Sequence, residues 1–359
     1  MKLKKVLYLT VSGIMKKQFL FIVLVTIVLF NLGCKKSLTE PVPDNTQPGR
    51  RDYAWTVDTI KIPFTFLYRI WGSSANDVWA VGPGGGLDQT IWHYDGSKWK
   101  TDGISRGISP LAVWGFGNDD VWIVGHEGKI WHNAGGGWTE SFGYKKNGFW
   151  VDFEDIWGDA PNNIYVTGFI DSGNVRKGLI LNFNGSRWNE ITIPNIPYSF
   201  SRIRRGNKEN ANYYLYGYGG NAMNSDNVGL FELFSNSIRT IYEASFSSQN
   251  WAFIQEINSN LYFVIGNRIQ KYLHNEFIPV IQINDSNFGA QIYGRSSKDI
   301  FLRMFDGIAH YNGSNYEYLY KFNDGITIVN AIIFEKEVFF LALDVQNNLN
   351  LIIKGKLAN

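Results

Sequence analysis

A repeated motif constrains the fold of this chain more than any other feature of its sequence. Three clear copies run from an apolar residue and Trp-Gly, through a short strand-like segment, to a closing glycine, at residues 70–82, 113–125 and 156–168. Each is followed by a second block that ends in tryptophan, at residues 91–99, 130–138 and 180–188. Val78 and Ala80 alternate with Trp79 and Val81, which predicts strands packed on both faces.

Less regular copies of the motif fill the second half of the chain. They lie at Gly206 with 213–217, Ile254 with 261–266, 293–301 with 308–314, and 331–343 with 349–353. Successive copies begin about 38–50 residues apart, which is the length of a four-stranded propeller blade. We therefore predict an all-β fold, a single β-propeller of about seven four-stranded blades.

The two ends of the repeat region complete one blade between them. The seventh copy contains three predicted strands before Asn359, whereas residues 54–60, ahead of the first copy, have the pattern of a strand without a blade. We predict that this N-terminal strand closes the ring on the last blade, because closure removes the open edge between the first and last blades.

The repeat resembles the Trp-Gly-Ser-Ser…Asp-Val-Trp-Ala-Val-Gly propeller repeats of bacterial secreted proteins and lipoproteins. The resemblance covers residues 65–320 and is strongest in the first three copies and the sixth. It implies the propeller fold but little about function, because propellers support many functions.

An apolar run near the N-terminus predicts a secretory signal. Residues 19–30 are apolar except for Thr26, and Lys16 and Lys17 precede them. This is the pattern of a signal peptide, and the run is shorter than the about 20 residues that a membrane span needs. Met15 begins a complete signal sequence by itself, which favours it as the true start.

The segment that follows, Asn31-Leu32-Gly33-Cys34, resembles the lipobox of bacterial lipoproteins. Gly33 and Cys34 match that motif, whereas Asn31 departs from its usual leucine. The resemblance implies that Cys34 becomes the N-terminus, carries palmitate or similar chains, and holds the protein in a bacterial cell envelope at the outer membrane. Its side of that membrane stays open, and the alternative is an ordinary signal peptide with an incidental cysteine.

These features divide the chain into three parts. We expect a lipoprotein signal peptide over residues 1–33, a lipidated Cys34 with a polar, proline-containing tether over 34–51, and the propeller over 52–359.

The charge of the chain argues against nucleic acid as a partner. The formal net charge is +2, but five lysines and no acidic residue lie in residues 1–33. In the remainder 29 basic residues face 32 acidic ones, a net charge near −3. A nucleic-acid-binding domain would normally carry a basic patch, and the sequence shows only a local one around residues 202–208.

The sequence predicts neither a cofactor nor a metal site. Cys34 is the only cysteine, which excludes a disulfide within the chain and a cysteine cluster. Four histidines recur at or near the third strand of a blade, but equivalent positions in different blades lie apart; they are His93, His132, His274 and His310. Asp77, Asp120 and Asp299 share the position before the second strand, and we predict that they cap turns by hydrogen bonding to backbone amides.

Long links between strands predict where a ligand binds. The irregular links all emerge on one face of a propeller, at residues 83–89, 101–110, 139–152, 169–178, 189–200 and 219–228. The central channel opens on the same face, and residues near the starts of the innermost strands are expected to line it. These candidates are Arg69, Asp155, Arg204 and Gln291, with Arg205 close to them. Trp150, in the third link, is a candidate for exposure and binding.

Three functions are consistent with these features. The first is a non-enzymatic binding or scaffold propeller, anchored to the membrane, for a protein or polysaccharide partner at the irregular-loop face. The second is an envelope enzyme acting on glycans, a hydrolase or lyase, with its site at the central channel and Glu154 and Asp155 as candidate carboxylates. The third is a structural member of a larger outer-membrane complex.

Overall fold

The structure, a computed structural model, describes residues 46–358 apart from residues 63–64, 85, 174–175, 207–211, 220–226, 235–236 and 248. The predicted signal peptide, Cys34 and most of the predicted tether lie outside the described residues. Within the described part of the chain, no helix is long and apolar enough to cross a membrane.

Strands make up the regular structure of the described residues. In the first half of the chain they are β1 (Tyr53–Ile60), β2 (Arg69–Ser74), β3 (Asp77–Val81), β4 (Ile91–Tyr94), β5 (Trp99–Lys100), β6 (Pro110–Gly117), β7 (Asp120–Gly125), β8 (Lys129–Asn133), β9 (Trp138–Gly143), β10 (Trp150–Ala160), β11 (Asn163–Asp171), β12 (Arg176–Phe183) and β13 (Trp188–Glu190). In the second half they are β14 (Tyr198–Arg205), β15 (Tyr213–Gly219), β16 (Asn227–Phe234), β17 (Ser237–Ser245), β18 (Ala252–Ile257), β19 (Asn260–Ile265), β20 (Arg268–Leu273), β21 (Glu276–Gln282), β22 (Phe288–Ser296), β23 (Asp299–Met304), β24 (Gly307–Tyr311), β25 (Tyr316–Lys321), β26 (Ile326–Ile333), β27 (Glu337–Asp344) and β28 (Leu349–Leu357).

The described strands form seven antiparallel sheets of four strands each, and each sheet is one blade. Six blades use consecutive strands, in the order β2–β5, β6–β9, β10–β13, β14–β17, β18–β21 and β22–β25. The strands of a blade are called A to D in chain order. The seventh blade consists of β26, β27 and β28 as A to C, with β1 as its fourth strand. The predicted all-β propeller with seven four-stranded blades is confirmed.

The N-terminal strand β1 lies beside the last strand of the chain. Its eight residues pair antiparallel with β28, from Tyr53 opposite Leu357 to Ile60 opposite Asn350. The predicted strand at residues 54–60 therefore exists and lies in the seventh blade. The dependence of the ring on this strand stays a prediction.

The hydrophobic core lies between neighbouring blades. Each of the seven apolar clusters among the described residues spans two adjacent blades. Trp71 of the first blade packs with Ile123 of the second, and Phe339 of the seventh packs with Val78 of the first. All residues of β3 are buried, because a B strand contacts a neighbouring blade on each face. A D strand such as β21 is mostly exposed.

Three of the predicted long links are shorter in the structure, including 189–200, where β13 ends at Glu190 and β14 begins at Tyr198. The interval 169–178 was predicted as a loop, but β11 and β12 continue as a paired hairpin as far as Asp171 opposite Arg176. In the interval 139–152, β9 ends at Gly143 and β10 begins at Trp150. The strands extend beyond the repeated motif because neighbouring backbone groups keep pairing, which the motif itself does not signal.

Candidate functional site

A cavity of about 600 Å³ lies at the centre of the ring. Each of the seven A strands contributes to its wall, through Arg69, Trp114, Asp155, Arg204, Glu256, Tyr293 and Asn330. The wall reaches the turn after β18 at Asn258 and Ser259, so the cavity extends toward the face formed by the A–B turns. Polar and apolar groups share this wall, which is typical of a binding site.

Four of the predicted site residues, Arg69, Asp155, Arg204 and Arg205, line this cavity, and the last three form ion pairs there. Arg204 Nη1 lies 2.7 Å from Asp155 Oδ2, and both side chains are almost fully buried. The backbone N–H of Ile203 donates a further hydrogen bond of 3.0 Å to the same oxygen. Arg205 forms a second ion pair, 2.6 Å from Asp159 Oδ2. These contacts join the A strands of the third and fourth blades across the cavity wall.

The two carboxylates proposed for a glycan-active site have separate partners. Glu154 accepts hydrogen bonds from the hydroxyl groups of Ser199, Ser201 and Tyr218, at 2.7, 2.6 and 2.6 Å. Asp155 is instead paired with Arg204. Glu154 is not part of the cavity wall, so the two carboxylates do not face one shared site. A β-bulge lies between Phe153 and Asp155, where the side chains of Glu154 and Asp155 take different partners.

Glu256 also lines the cavity, and the sequence did not predict it as a site residue. Burial raises the pKa of its carboxyl group, and the neighbouring Arg204 and Arg205 oppose that rise while Asp159 adds to it. Glu256 lies in the fifth blade, where the repeat is least regular. No local signal distinguishes an inward-facing acidic residue there from a surface one.

A second pocket, of about 270 Å³, lies along the channel at its other end. It includes Phe246 and Trp251 from the D–A link before β18, so it belongs to the irregular-loop face. Arg69 and Arg202 line both this pocket and the larger cavity, so the two spaces adjoin. Of the predicted site residues, Gln291 lines this second pocket and Arg69 lines both spaces.

The predicted arrangement of the channel residues is wrong in one respect. Asp155 and Arg204 were expected near the starts of their A strands, beside Gln291 at the irregular-loop end. Because β10 begins at Trp150 and β14 at Tyr198, both residues lie deep in their strands. They line the cavity that reaches the A–B turns, whereas Gln291 lines the second pocket.

Trp150 stands apart from both spaces. It is the first residue of β10 rather than part of a long loop, and its residue surface is 53% exposed. The predicted exposure is therefore present, but Trp150 lines neither of the two spaces described here. A part for Trp150 in binding stays a prediction.

The repeated aspartates and histidines pair with each other inside single blades. The distances from His93 to Asp77, His132 to Asp120 and His310 to Asp299 are 2.7, 2.8 and 2.7 Å, respectively. In two blades the histidine ring also stacks on the B-strand tryptophan, with Trp79–His93 centroids 4.1 Å apart and Trp122–His132 centroids 3.7 Å apart. The prediction that these aspartates hydrogen-bond to backbone amides is thus wrong. Their carboxylates pair with side chains instead. His274 lies instead in the turn after β20, at a φ of 54°.

No protein family model matches the chain, and no curated protein matches it.

Solved structures share the fold at low sequence identity. The structure described as YCF48 bound to D1 peptide has a TM-score of 0.60 at 12% identity, covering 89% of this chain and 99% of that one. BBS1N in complex with ARL6DN has a TM-score of 0.55 at 10% identity, covering 86% and 98%. The WD40 β-propeller domain of Doa1 has a TM-score of 0.52 at 11% identity, covering 83% and 96%. At these identities the likeness shows the fold alone, and that fold is a β-propeller.

Proposed function

We propose that this protein is a bacterial lipoprotein of the cell envelope whose propeller binds a protein partner and acts as a scaffold there. The central channel is the binding site, and Cys34 is the membrane anchor. The Gly33-Cys34 junction after the apolar run at residues 19–30 supports the anchor.

The observation that carries the binding proposal is the wall of the central cavity. Charged side chains from the third, fourth and fifth blades line a space of about 600 Å³ together with tryptophan rings. A channel that served only to stabilise the ring would be filled with packed apolar side chains, whereas this one is open and its wall is charged. A polar, open cavity on a rigid scaffold is suited to a polar, flexible ligand such as a peptide segment.

Two of the similar structures favour protein over polysaccharide as the partner class. The YCF48 structure contains a D1 peptide, and the BBS1N structure contains ARL6DN. The D1 peptide is the partner of YCF48, and ARL6DN is the partner of BBS1N. They indicate that the fold of this chain can present a protein-binding surface.

Capture of envelope proteins by the full-length chain tests the proposal. The wild type should be found in the membrane fraction, whereas a Cys34→Ser variant should not. The wild-type chain is then extracted from that fraction in detergent. Wild type should retain a partner protein, and Glu256→Arg, which places bulk and opposite charge in the cavity, should reduce its capture by about tenfold or more.

The matched control is Glu335→Arg, on the same face but at an exposed turn after β26. It should capture as much partner as wild type, and both variants should unfold at wild-type temperature. Equal capture by the Glu256→Arg variant, or retention of a glycan in place of a protein, would contradict the proposal.

A further inference from the structure

The second pocket of the channel combines three arginines with no acidic residue in its described wall. Arg69, Arg202 and Arg303 come from the first, fourth and sixth blades and line about 270 Å³. We call this space the arginine pocket. Phe246 and Trp251 form an aromatic part of its wall, and Phe246 is 49% exposed.

The hydrogen bonds of these arginines all go to neutral oxygens. Arg69 donates to the Tyr68 carbonyl at 3.2 Å, and Arg202 donates to the Gln255 side chain at 3.3 Å. Arg303 donates to the carbonyl of Gly289 and the hydroxyl of Thr327, at 3.3 and 3.1 Å. None of the three has a carboxylate of the described residues within 4.0 Å.

Two donor groups of these arginines, which lie beneath the pocket surface, have no partner among the described residues. The Nε atoms of Arg69 and Arg303 are buried and form no hydrogen bond within the described structure. A buried donor without a partner costs about 1–3 kcal/mol, and more when it is charged. The Nε of Arg205, in the adjoining cavity, is unpaired as well, but Arg204 and Arg205 are each paired with an aspartate, which Arg69, Arg202 and Arg303 are not.

Burial and neighbouring positive charge both act on these arginines, and burial lowers the pKa of Arg303. Burial and the charge of Arg204 lower the pKa of Arg202 to about 9, and the charge of Arg69 adds to that lowering, while Asp155 opposes it. Burial raises the pKa of Tyr293, and the charges of Arg202, Arg303 and Arg69 oppose that rise, so all three arginines lie near one phenol group. An anion placed among them would offset their burial and the repulsion between Arg69 and Arg202.

We propose that the arginine pocket binds a carboxylate of an acidic peptide segment, whose neighbouring apolar side chain packs on Phe246 and Trp251. This inference rests on the proposed function and names the chemistry of the partner segment. The planar guanidinium fork matches a carboxylate with two parallel hydrogen bonds. The pocket is smaller than the about 300–1,000 Å³ of most drug-sized ligand sites, so it suits one acidic residue rather than several sugar units.

Fluorescence anisotropy with a labelled hexaglutamate peptide tests the pocket on the full-length chain in detergent. Hexaglutamate should bind, hexaglutamine should not, and the affinity should fall with added salt. Arg303→Gln and Arg69→Gln should each weaken binding by about tenfold or more, because each removes charge-assisted hydrogen bonds. The control Arg268→Gln removes the same charge from an exposed position at the start of β20 and should change affinity by less than about twofold.

Three results would overturn the inference. They are no salt-sensitive binding of hexaglutamate by wild type, equal weakening in the Arg268→Gln control, and binding of polygalacturonate or inorganic phosphate where hexaglutamate fails. The salt and hexaglutamine measurements use wild type alone, so they hold even if a variant folds poorly. Partner capture that survives Arg303→Gln but not Glu256→Arg would leave the proposed function standing while removing the arginine pocket from it.

Discussion

At the scale of single residues, the clearest stabilising contact is a buried aspartate that links three strands of one blade. Asp299, at the start of β23, accepts hydrogen bonds from His310 Nε2 at 2.7 Å and from Arg295 Nε at 2.6 Å. His310 is fully buried. Desolvation acts to raise the pKa of Asp299, but the hydrogen bonds from His310 and Arg295 prevail and hold it below its usual value.

A lowered carboxyl pKa makes stability depend on pH in a defined direction. The contribution of Asp299 is complete above the unfolded-state pKa of about 4 and is lost as pH falls through the lower folded-state pKa. Asp299→Asn should therefore reduce the free energy of unfolding at neutral pH by about 2 kcal/mol and flatten its decline in acid. Urea unfolding from about pH 3 to about pH 7 measures both effects.

The control for this prediction is Asp324→Asn, at an exposed position in the link before β26. It should follow the wild-type curve throughout. An Asp299→Asn variant with the full wild-type decline in acid would show that other carboxylates cause that decline.

At the scale of strands, the glycine of Trp-Gly sets how closely one blade approaches the next. A Cβ atom at Gly115 would lie 2.6 Å from the backbone oxygen of Asp120 and 2.6 Å from the ring of Trp71 in the preceding blade. At Gly158 the ring of Phe116 occupies the same place, 2.8 Å from such a Cβ. The repeat keeps glycine here because an aromatic ring of the preceding blade fills the space.

Replacing this glycine should separate two blades. Gly115→Ala should lower the free energy of unfolding by about 2 kcal/mol, because neither the Asp120 backbone nor the packed Trp71 ring can easily move. Chemical denaturation measures the change. Gly136→Ala is the control, since a Cβ at Gly136 would meet nothing within 4 Å, and it should stay within about 0.5 kcal/mol of wild type. Equal stability of the two variants would show that the blades tolerate a wider spacing.

At the scale of the whole molecule, the first and last strands of the propeller meet in one sheet. The eight residues of β1 pair with β28, while the seventh blade also packs on the first through Phe339 and Val78. Without β1, the edge of β28 would present unpaired backbone groups over the same length, which favours aggregation.

Deleting residues 52–62 from the full-length chain should cause aggregation or abolish cooperative unfolding. Thermal unfolding followed by circular dichroism, with light scattering for aggregation, measures the result. A deletion of residues 35–45, of equal length in the predicted tether, is the control and should leave the unfolding transition unchanged. A chain without residues 52–62 that melts as wild type would rule out closure by β1.

The sequence predicted the blades better than the site. Strand position and blade number follow from local features, period-2 alternation and a repeat of fixed length, and both survive even in the irregular fifth blade. Arg202, Arg303 and Glu256 were missed as site residues because nothing local shows which strand residues face the channel. Asp155 and Arg204 lie deeper in their strands than the sequence predicted. β10 and β14 begin before the repeated motif, because backbone pairing with the adjacent strand sets where each of them begins.

The sequence by itself determined the blade, with its four strands, and the approximate number of copies, because both depend on residues close together in the chain. Only the tertiary structure decided which residues share the channel. Arg69, Arg202 and Arg303 lie in three different blades, and closing the ring is what brings their charges to one pocket. The described wall of that pocket has no acidic residue. Which residues meet there depends on how the blades are arranged around the ring, and no single segment of the sequence shows this.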